Sequence, residues 1–346
     1  MTSTAPVNEA WVIAAMQERL GNLGGVFEFP GVRISVPMAS LDDCALMQLE
    51  SPTKLVVGCD YIRGRQFDLF RFGHLSYFDL GYYLIAANLS DIASMGAIPI
   101  GATIILRYPP DLMQAQATQL IDGIVTACEM HGPCPVLGGD SGGATDLILG
   151  ATVIGRVTAN PLLRSTAQPG DSVYVLGYPG RAKAAELLFA CDPPPAVPLS
   201  NEEKASLLDQ WRRPHPLLKH GQILSQSGHR IACQDTSDGL KTTLSQIAVR
   251  SNVGIRIRER DITVEPLLRK IASSLNVNPL ELYFRASVDF GLVFTLPKDV
   301  EIDSITMPTG PTIQYVGQAH CGSGQLMLER IDGTIESNLP GEDYSH

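Results

Sequence analysis

The chain has 346 residues, and its 26 Lys and Arg against 36 Asp and Glu residues give a net charge of −10. Its length suffices for about two domains of roughly 150 residues. The acidic balance argues against nucleic-acid binding, because no basic surplus can neutralise the phosphate backbone. It does not argue against a phosphorylated small ligand, since Mg²⁺ can lie between carboxylates and phosphate.

The sequence carries no targeting or membrane signal. The first 30 residues lack a basic flank followed by an apolar core, and no apolar run reaches 18 residues. The seven cysteines include no CxxC pair, which argues against zinc ribbons and dithiol redox motifs. We therefore expect a cytoplasmic protein with reduced thiols and no membrane partner.

The first half alternates short apolar runs with longer helical patterns. Strands are predicted at residues 54–59, 102–106, 135–137 and 147–157, and helices at residues 77–95 and 111–130. The glycine-rich segment at residues 138–143 is predicted to be a tight loop that exposes Asp140. This alternation indicates an α/β or α+β half.

A boundary is predicted near residues 160–170, where Asn160-Pro161 and Gln168-Pro169-Gly170 interrupt the pattern. Beyond it, strands are predicted at residues 173–176, 231–234, 255–257, 292–296, 314–316 and 325–329. Helices are predicted at residues 182–190, 202–211, 217–227 and 240–250. The sequence therefore predicts an α/β (α+β) protein with domains at residues 1–160 and 161–346.

The strongest chemical signal is a set of six aspartates in turns, at strand ends and on a small-residue helix. They are Asp43, Asp60, Asp91, Asp140, Asp235 and Asp238. A single acidic residue in such a place is most often a helix cap or a turn former. Six aspartates in such places are harder to attribute to capping and turn formation alone. Clustered carboxylates need cations, and their hard oxygens select Mg²⁺, Mn²⁺ or Ca²⁺.

Magnesium bound by carboxylates usually accompanies a polyphosphate substrate, because phosphoryl transfer depends on positioning and charge neutralisation. The chain has neither a GxxxxGK[ST] loop nor a GxGxxG turn after a strand, so the common nucleotide motifs are absent. A rival interpretation comes from the GDSGG run, which would make Ser141 a serine-protease nucleophile. The upstream His74 and His131 lack the required setting, and the predicted helices argue against a double β-barrel.

Ordered motifs over about residues 41–330 resemble thiamine-monophosphate kinase, within the aminoimidazole ribonucleotide synthetase (AIR synthase) superfamily. They are LDDCALM, the strand-end Asp60, DLGYYLIAANLSDIASMGA, VLGGD, RSTAQPGDSVYVLGYPG, RRPHPLL, DTSDGL and YVGQ. The resemblance implies two α/β domains and a homodimer whose amino-terminal strands join those of the partner in a β-barrel. It also implies ATP, several Mg²⁺ ions and a small-molecule substrate.

The resemblance assigns roles residue by residue. The six aspartates match the family's metal ligands, and among them Asp60, Asp91 and Asp238 are the expected catalytic set. Gly139 and Asp140 match the loop that contacts nucleotide, and Arg164 and Ser237 match further nucleotide contacts. From the residues alone, Arg164 could equally cap a strand or form a surface ion pair. The family transfers the γ-phosphoryl group directly to the substrate phosphate.

The departures from the family lie on the substrate side. Gln66 replaces the substrate-contacting histidine, Val288 replaces a glutamate, and the terminal segment has no tryptophan. Arg63 and Arg65 add positive charge that suits an anionic acceptor. Thiamine phosphate is the family's default acceptor. The alternatives are a kinase or ATP-dependent ligase or cyclase for another small anionic metabolite, or an inactive nucleotide-binding relative.

Overall fold

The computed structural model describes residues 7–36, 46–50, 53–62, 64–157 and 159–342. The chain divides into two compact units. The first unit comprises Met1–Ile92, Ala97–Thr158 and Trp211–Pro216, and the second comprises Ala93–Gly96, Ala159–Gln210 and Leu217–His346. Both combine helices with sheets, which confirms the predicted mixed α/β class. No helix of the described ranges is long and apolar enough to cross a membrane.

The described residues between 7 and 157 form two sheets and the helices that pack with them. The helices are α1 (Glu9–Leu20), α2 (Asp68–Arg71), α3 (Tyr77–Ser94) and α4 (Gln114–Met130). The strands are β1 (Phe27–Phe29), β2 (Val32–Val36), β3 (Leu46–Leu49), β4 (Lys54–Ile62), β5 (Ile98–Tyr108), β6 (Val136–Gly143) and β7 (Ile148–Val157). The first three strands form one sheet, and the other four form a second sheet in the order β4-β7-β5-β6.

Two glycines allow α3 and α4 to touch backbone to backbone. A Cβ atom at Gly81 would clash with the Leu120 carbonyl, and one at Gly123 would clash with the Phe78 carbonyl. Glycine costs helix stability because of its backbone freedom, but here it is the residue that permits the close crossing. Helix α3 is consequently buried along most of its length.

The two faces of the four-stranded sheet differ in their surroundings. Cross-strand partners point to the same face and successive residues alternate. Asp60, Ala151, Ile104 and Gly139 form one cross-strand row. Helix α3 covers this inner face, because a Cβ atom at Gly155, on the same side of β7, would lie 3.2 Å from Ile92.

The opposite, outer face of this sheet carries exposed apolar side chains. We define it by Val57, Tyr61, Ile105 and Ile148, which lie on β4, β5 and β7. Val57 is 64% exposed and Tyr61 is 66% exposed. Such a patch on a sheet face is typical of a surface that contacts a partner.

The glycine-rich segment is a strand and not the tight loop that the sequence predicts. It forms β6, which pairs in parallel with β5. A Cβ atom at Gly139 would clash with the Ile104 carbonyl, so the glycine marks a close backbone approach within a sheet. Strand β4 likewise continues to Ile62, which places Asp60 inside the strand and not at its end.

Residues 159–342 form one mixed sheet with six helices. The helices are α5 (Arg181–Phe189), α6 (Asn201–Arg212), α7 (Leu218–Gln226), α8 (Leu240–Ser251), α9 (Pro266–Leu275) and α10 (Pro279–Phe284). The strands are β8 (Ser172–Leu176), β9 (Cys233–Asp235), β10 (Val253–Arg258), β11 (Leu292–Leu296), β12 (Ile313–Cys321), β13 (Leu326–Glu329) and β14 (Ile335–Glu336). Their order is β14-β13-β10-β12-β8-β11-β9, and only the β10–β13 pair is parallel among these described strands.

The core of the second unit lies against the central strands of this sheet. The rings of Tyr174 and Phe294 stack 5.3 Å apart on neighbouring strands, and Leu176, Leu224 and Leu292 are fully buried beside them. Aromatic pairs of this kind add stability beyond the area that they bury. The core therefore holds β8 and β11 in place beside β9, the strand that carries Asp235.

The sequence patterns did not predict α1, α2, α9, α10 or the strands β1–β3 and β14. Helices α9 and α10 each begin with a proline in the first turn, and Asn278 accepts a hydrogen bond from the amide N–H of Leu280. These are ordinary start signals. Helix α10 and the strands β1–β3 and β14 are short, so tertiary packing rather than periodicity decides their structure.

Candidate functional site

Asp60 and Asp91 lie on the same side of the first unit's four-stranded sheet. Asp60 and Gly58 both face inward from β4, because they are two residues apart on one strand. Asp91 reaches this face from α3, and its Oδ2 atom lies 3.6 Å from the position that a Cβ atom at Gly58 would occupy. The absence of a side chain at Gly58 therefore leaves room for the Asp91 carboxylate against the strand.

Asn88 joins the helix to the strand at this point. Its Oδ1 accepts the amide N–H of Asp60 at 3.0 Å, and its Nδ2 donates to the Leu84 carbonyl at 2.8 Å. The side chain is fully buried, so these bonds satisfy the oxygen and the nitrogen of an amide that water cannot reach. Sequence reasoning missed this residue, although the three-residue spacing to Asp91 places the two on one helix face.

Asp140 lies on the outer face of the same sheet. It is paired across β5 and β6 with Ile105, and its carboxylate forms an ion pair with Arg107. Gly142 makes room for that arginine, because a Cβ atom there would clash with the guanidinium. The structure therefore brings Asp60 and Asp91 to one face and places Asp140 on the other.

In the second unit, Asp235 and Ser237 are held in a turn before α8. Ser237 donates to Asp235 Oδ1 at 3.1 Å, and Thr243 donates to the Asp235 carbonyl at 2.9 Å. Gly239 has a φ of 88° and lies against the backbone of residues 285–287, where a Cβ atom would be 2.7 Å from the Arg285 carbonyl. Only glycine fits there, and Asp238 consequently lies at the N-terminus of α8.

The N-terminus of α8 suits a negatively charged ligand. No side chain caps it, and the first amide groups of a helix point along the axis with a partial positive charge. Phosphate groups bind readily at such an end. Ser237 and Asp238 lie immediately before it and are half-buried.

Arg164 is oriented by a pair of glutamines. It donates to Gln246 Oε1 at 3.0 Å, and Gln234, the neighbour of Asp235, donates to the same oxygen at 2.7 Å. Ser251 also donates to the Arg164 carbonyl at 2.8 Å. The arginine predicted to contact nucleotide is therefore fixed to α8 and linked, through Gln246 and Gln234, to the strand that carries Asp235.

Of the residues predicted to contact the substrate, Arg65 and Gln66 belong to the first unit and Val288 belongs to the second. Arg65 donates to Asp111 Oδ2 at 2.7 Å and lies over the Tyr77 ring, 5.5 Å from its centre. Gln66 is exposed in the same short helical turn, and Val288 is half-buried in the second unit. Asp43 and Arg63 lie outside the described residues. The positive charge of Arg65 is therefore partly neutralised by the Asp111 carboxylate.

Asp289, beside Val288, anchors the N-terminus of α5. Its two oxygens accept the amide N–H groups of Gly180 and Ala182 at 2.6 and 2.9 Å, and Ser287 accepts that of Lys183 at 3.0 Å. Burial raises the pKa of Asp289 to about 6, although these hydrogen bonds favour its charged form. Sequence reasoning assigned Asp289 no role. The signal that could have identified it is its position shortly before Gly291, which directly precedes strand β11.

The donor set fits magnesium better than a metal that needs a complete protein cage. Among the described residues, no three or more His, Cys, Asp or Glu side chains lie close enough to hold a metal ion. Magnesium usually takes one or two carboxylates and completes its shell with water and substrate phosphates. The predicted ligands Asp60 and Asp91 in the first unit, and Asp235 and Asp238 in the second, offer two carboxylates in each unit and oxygen atoms only.

The comparisons with known proteins agree with this chemistry. Residues 41–157 match the model of the AIR synthase related protein, N-terminal domain. The structure of a thiamine-monophosphate kinase from Stenotrophomonas maltophilia K279a superposes with a TM-score of 0.75 at 25% identity, covering 96% of this chain and 99% of its own. The fold and the site therefore define a protein of the AIR synthase superfamily.

Two thiamine-monophosphate kinase sequences identify the family within this superfamily. The thiamine-monophosphate kinase of Escherichia coli K12 is 30% identical over 90% of this chain and 93% of its own length. That of Pyrococcus horikoshii is 32% identical over 77% and 81%. The chain belongs to the thiamine-monophosphate kinase family.

Replacing Gly58 tests the contact between α3 and β4. In Gly58→Ala the new methyl group would touch the Asp91 carboxylate at ordinary van der Waals distance, so we expect a folded protein. The methyl group occupies space beside the predicted ligand, and we expect Mg²⁺ to bind about tenfold more weakly in the presence of ATP. Calorimetry with Mg²⁺ measures this.

Gly143→Ala is the matched control, because a Cβ atom there meets nothing within 4 Å. Wild-type Mg²⁺ affinity in a folded Gly58→Ala protein would contradict the predicted role of this contact.

Replacing Asp289 tests its anchoring role through pH. The pKa of Asp289 is raised to about 6 in the folded protein, so the unfolded chain loses this proton first as pH rises. Its contribution to stability is therefore fully present below about pH 4 and declines up to about pH 6. The free energy of unfolding of the wild type, minus that of Asp289→Asn, should fall by about 2 kcal/mol over this range.

Urea titrations between pH 4 and pH 7 measure this difference. A difference that stays constant or rises with pH would show that the carboxylate is not held in a desolvated site.

Proposed function

We propose that the protein is an ATP-dependent kinase that transfers the γ-phosphoryl group to thiamine monophosphate with the help of Mg²⁺. The observation that carries the proposal is the placement of Asp91 over the side-chain-free Gly58, on the same sheet face as Asp60. The uncapped N-terminus of α8, preceded by Ser237 and Asp238, supports it from the second unit. Family membership supplies the reaction type.

Each unit carries part of the proposed machinery. Asp60 and Asp91 hold a metal in the first unit, where Asn88 and Gly58 keep α3 against β4. Gly139, in the same cross-strand row as Asp60, contacts the nucleotide from β6, whereas Asp140 lies on the opposite face and is paired with Arg107. Magnesium, when bound, neutralises the phosphate charge and orients the groups that react.

In the second unit, Asp235 and Asp238 supply further metal ligands, while Ser237 and Arg164 bind phosphate oxygens. The hydrogen bonds of Gln246 fix the arginine in one orientation, which reduces the entropy lost when the nucleotide binds. No residue of this set needs to carry the phosphoryl group, so the transfer is direct. The chain's own contribution is positioning and electrostatic stabilisation.

Substituting the predicted metal ligands tests the activity. Wild-type protein with ATP, Mg²⁺ and thiamine monophosphate should form ADP and thiamine diphosphate. Asp91→Asn and Asp238→Asn should each lower the rate about a hundredfold or more, because they remove charge that holds the metal. Asp68→Asn, an exposed carboxylate on α2, should leave the rate unchanged. Product formation is followed by chromatography.

Full activity in Asp91→Asn or Asp238→Asn would refute the metal role of that residue. Failure of the wild type to bind ATP would overturn the kinase proposal as a whole.

The second candidate is a kinase for another anionic metabolite. Val288 offers an apolar, half-buried surface where the family has a glutamate, so it cannot pair with the cationic ring of thiamine. ATP binding by calorimetry without turnover of thiamine monophosphate would favour this candidate. The test then proceeds with other small monophosphates as acceptors.

We also propose a homodimer formed through the outer face of the four-stranded sheet. Val57, Tyr61, Ile105 and Ile148 expose a contiguous apolar surface on three neighbouring strands. Burying such a surface against a second copy is favourable at about 25 cal/mol per Å². This agrees with the dimeric barrel that the family resemblance implies.

A charge on the outer face tests the dimer. Val57→Glu should yield a monomer, because the carboxylate would be buried without a partner. Light scattering after size-exclusion chromatography gives the mass. Ile331→Glu is the control, since Ile331 is 77% exposed in the second unit. A wild-type monomer, or a Val57→Glu protein with the wild-type mass, would contradict the proposal.

We also propose a division into two domains and a cellular location. Residues 1–160 form the ATP- and Mg²⁺-binding domain and residues 161–346 the second domain, an assignment that the two compact units support. The ATP requirement supports a cytoplasmic location.

A further inference from the structure

Three consecutive side chains, those of Trp211, Arg212 and Arg213, contact one segment of the first unit at successive points. The segment comprises residues 64–79, from a short helical turn to the first turn of α3. The two arginines begin the RRPHPLL motif, to which the proposed function assigns no role. Residues 211–216 belong to the first unit, so all these contacts lie within that unit.

Trp211 holds the beginning of the 64–79 segment. Its ring stacks on that of Tyr83, with the ring centres 5.8 Å apart, and meets the Phe67 ring edge-on at 5.5 Å. Phe67 and Tyr83 also contact each other at 5.2 Å, so the three rings form a closed cluster. Trp211 is only 8% exposed, and aromatic contacts add to the stability that burial provides. Phe67 is therefore fixed from two sides.

Arg212 and Arg213 hold the end of the segment. Nε of Arg212 donates to the His74 carbonyl at 2.9 Å. The guanidinium of Arg213 forms an ion pair with Asp79, which is 6% exposed, and lies over the Phe78 ring, 4.5 Å from its centre. Hydrogen bonds that involve a charged group are stronger and more directional than neutral ones. The backbone of the segment is thus fixed at both ends.

The fixed segment carries two polar side chains that the sequence assigns to the acceptor. Gln66 is exposed and directly precedes Phe67, so the contacts of the Phe67 ring also limit the backbone of Gln66. Arg65 lies in the same turn. Surface segments are usually more mobile than the elements that they connect, and ordering a mobile segment costs free energy when a ligand binds. A segment that is already ordered avoids this cost.

We propose that Trp211, Arg212 and Arg213 are positioning residues for the phosphate acceptor, which act through the 64–79 segment. The inference rests on the proposed function, because that function supplies the acceptor. Loss of these contacts weakens the binding of the acceptor, since the segment must then be ordered on binding. It leaves ATP binding unchanged, because none of the predicted nucleotide contacts belongs to this segment.

Steady-state kinetics of Arg212→Met test the proposal. Methionine keeps an apolar chain of similar length and removes the donor to the His74 carbonyl. We expect the KM for thiamine monophosphate to rise about tenfold and the KM for ATP to stay within about twofold of the wild-type value. Arg269→Met is the matched control, because Nε of Arg269 also donates to a backbone carbonyl, that of Val264, at 2.8 Å. Both of its KM values should equal those of the wild type.

Two substitutions of Trp211 separate positioning from a merely structural role. Trp211→Leu removes the ring contacts and should raise the KM for the acceptor as Arg212→Met does. Trp211→Phe keeps a ring beside Tyr83 and should restore most of the acceptor affinity. An unchanged KM for the acceptor in folded Arg212→Met, or an equal rise in both KM values, would overturn the proposal. Arg212→Met decides the question alone if Trp211→Leu does not fold.

Hydrogen exchange tests the positioning without any turnover. In the segment, the amide N–H of Phe72 donates to the Asp68 carbonyl at 2.9 Å, and that of His74 donates to the Leu69 carbonyl at 2.8 Å. Both amides should exchange about tenfold faster in Arg212→Met than in the wild type or in Arg269→Met, because the segment opens more often. Wild-type exchange rates in Arg212→Met would overturn the proposal.

The two measurements distinguish this proposal from the proposed function. If the wild type does not phosphorylate thiamine monophosphate, the proposed function fails for that acceptor. The exchange rates then decide whether these residues hold the segment in place.

Discussion

The close approach of helix α3 to strand β4 is the constraint on which the first unit's site depends. It combines a position without a side chain, Gly58, with a buried amide, Asn88, which bonds to the Asp60 backbone. Loss of a buried hydrogen bond costs more than its formation contributes, because the remaining partner stays desolvated. The helix is therefore held at one position, and Asp91 lies beside the strand that carries Asp60.

In the second unit, different residues likewise hold the segments that carry the predicted functional side chains. Gly239 packs against the backbone of residues 285–287, while Thr243 fixes the Asp235 carbonyl. Asp289 satisfies two amide groups at the N-terminus of α5. In both units, glycines and buried polar side chains bring backbones together, and the functional side chains occupy the positions that remain. Rigid support of this kind lowers the cost of ordering a charged site.

Much of the site could be predicted from the sequence, because its residues lie in local motifs. The aspartates of NLSDIASMGA and DTSDGL lie on the helix and in the turn that the sequence predicts. The glycine-rich segment was predicted wrongly, since its strand character comes from the neighbouring β5 and not from local propensity. Asn88 and Asp289 were missed for the same reason: their partners are 28 and more than 100 residues away.

By itself, the sequence determined the family, the mixed α/β class and the kinds of ligand atom available, because residue identity and local spacing set these properties. Only the tertiary structure decided which carboxylates share a face. Asp60 and Asp140 belong to one sheet but face opposite ways, since strand register sets the direction of every side chain. It also paired Arg65 with Asp111. Register and burial depend on partners distant in the chain, and no local pattern specifies them.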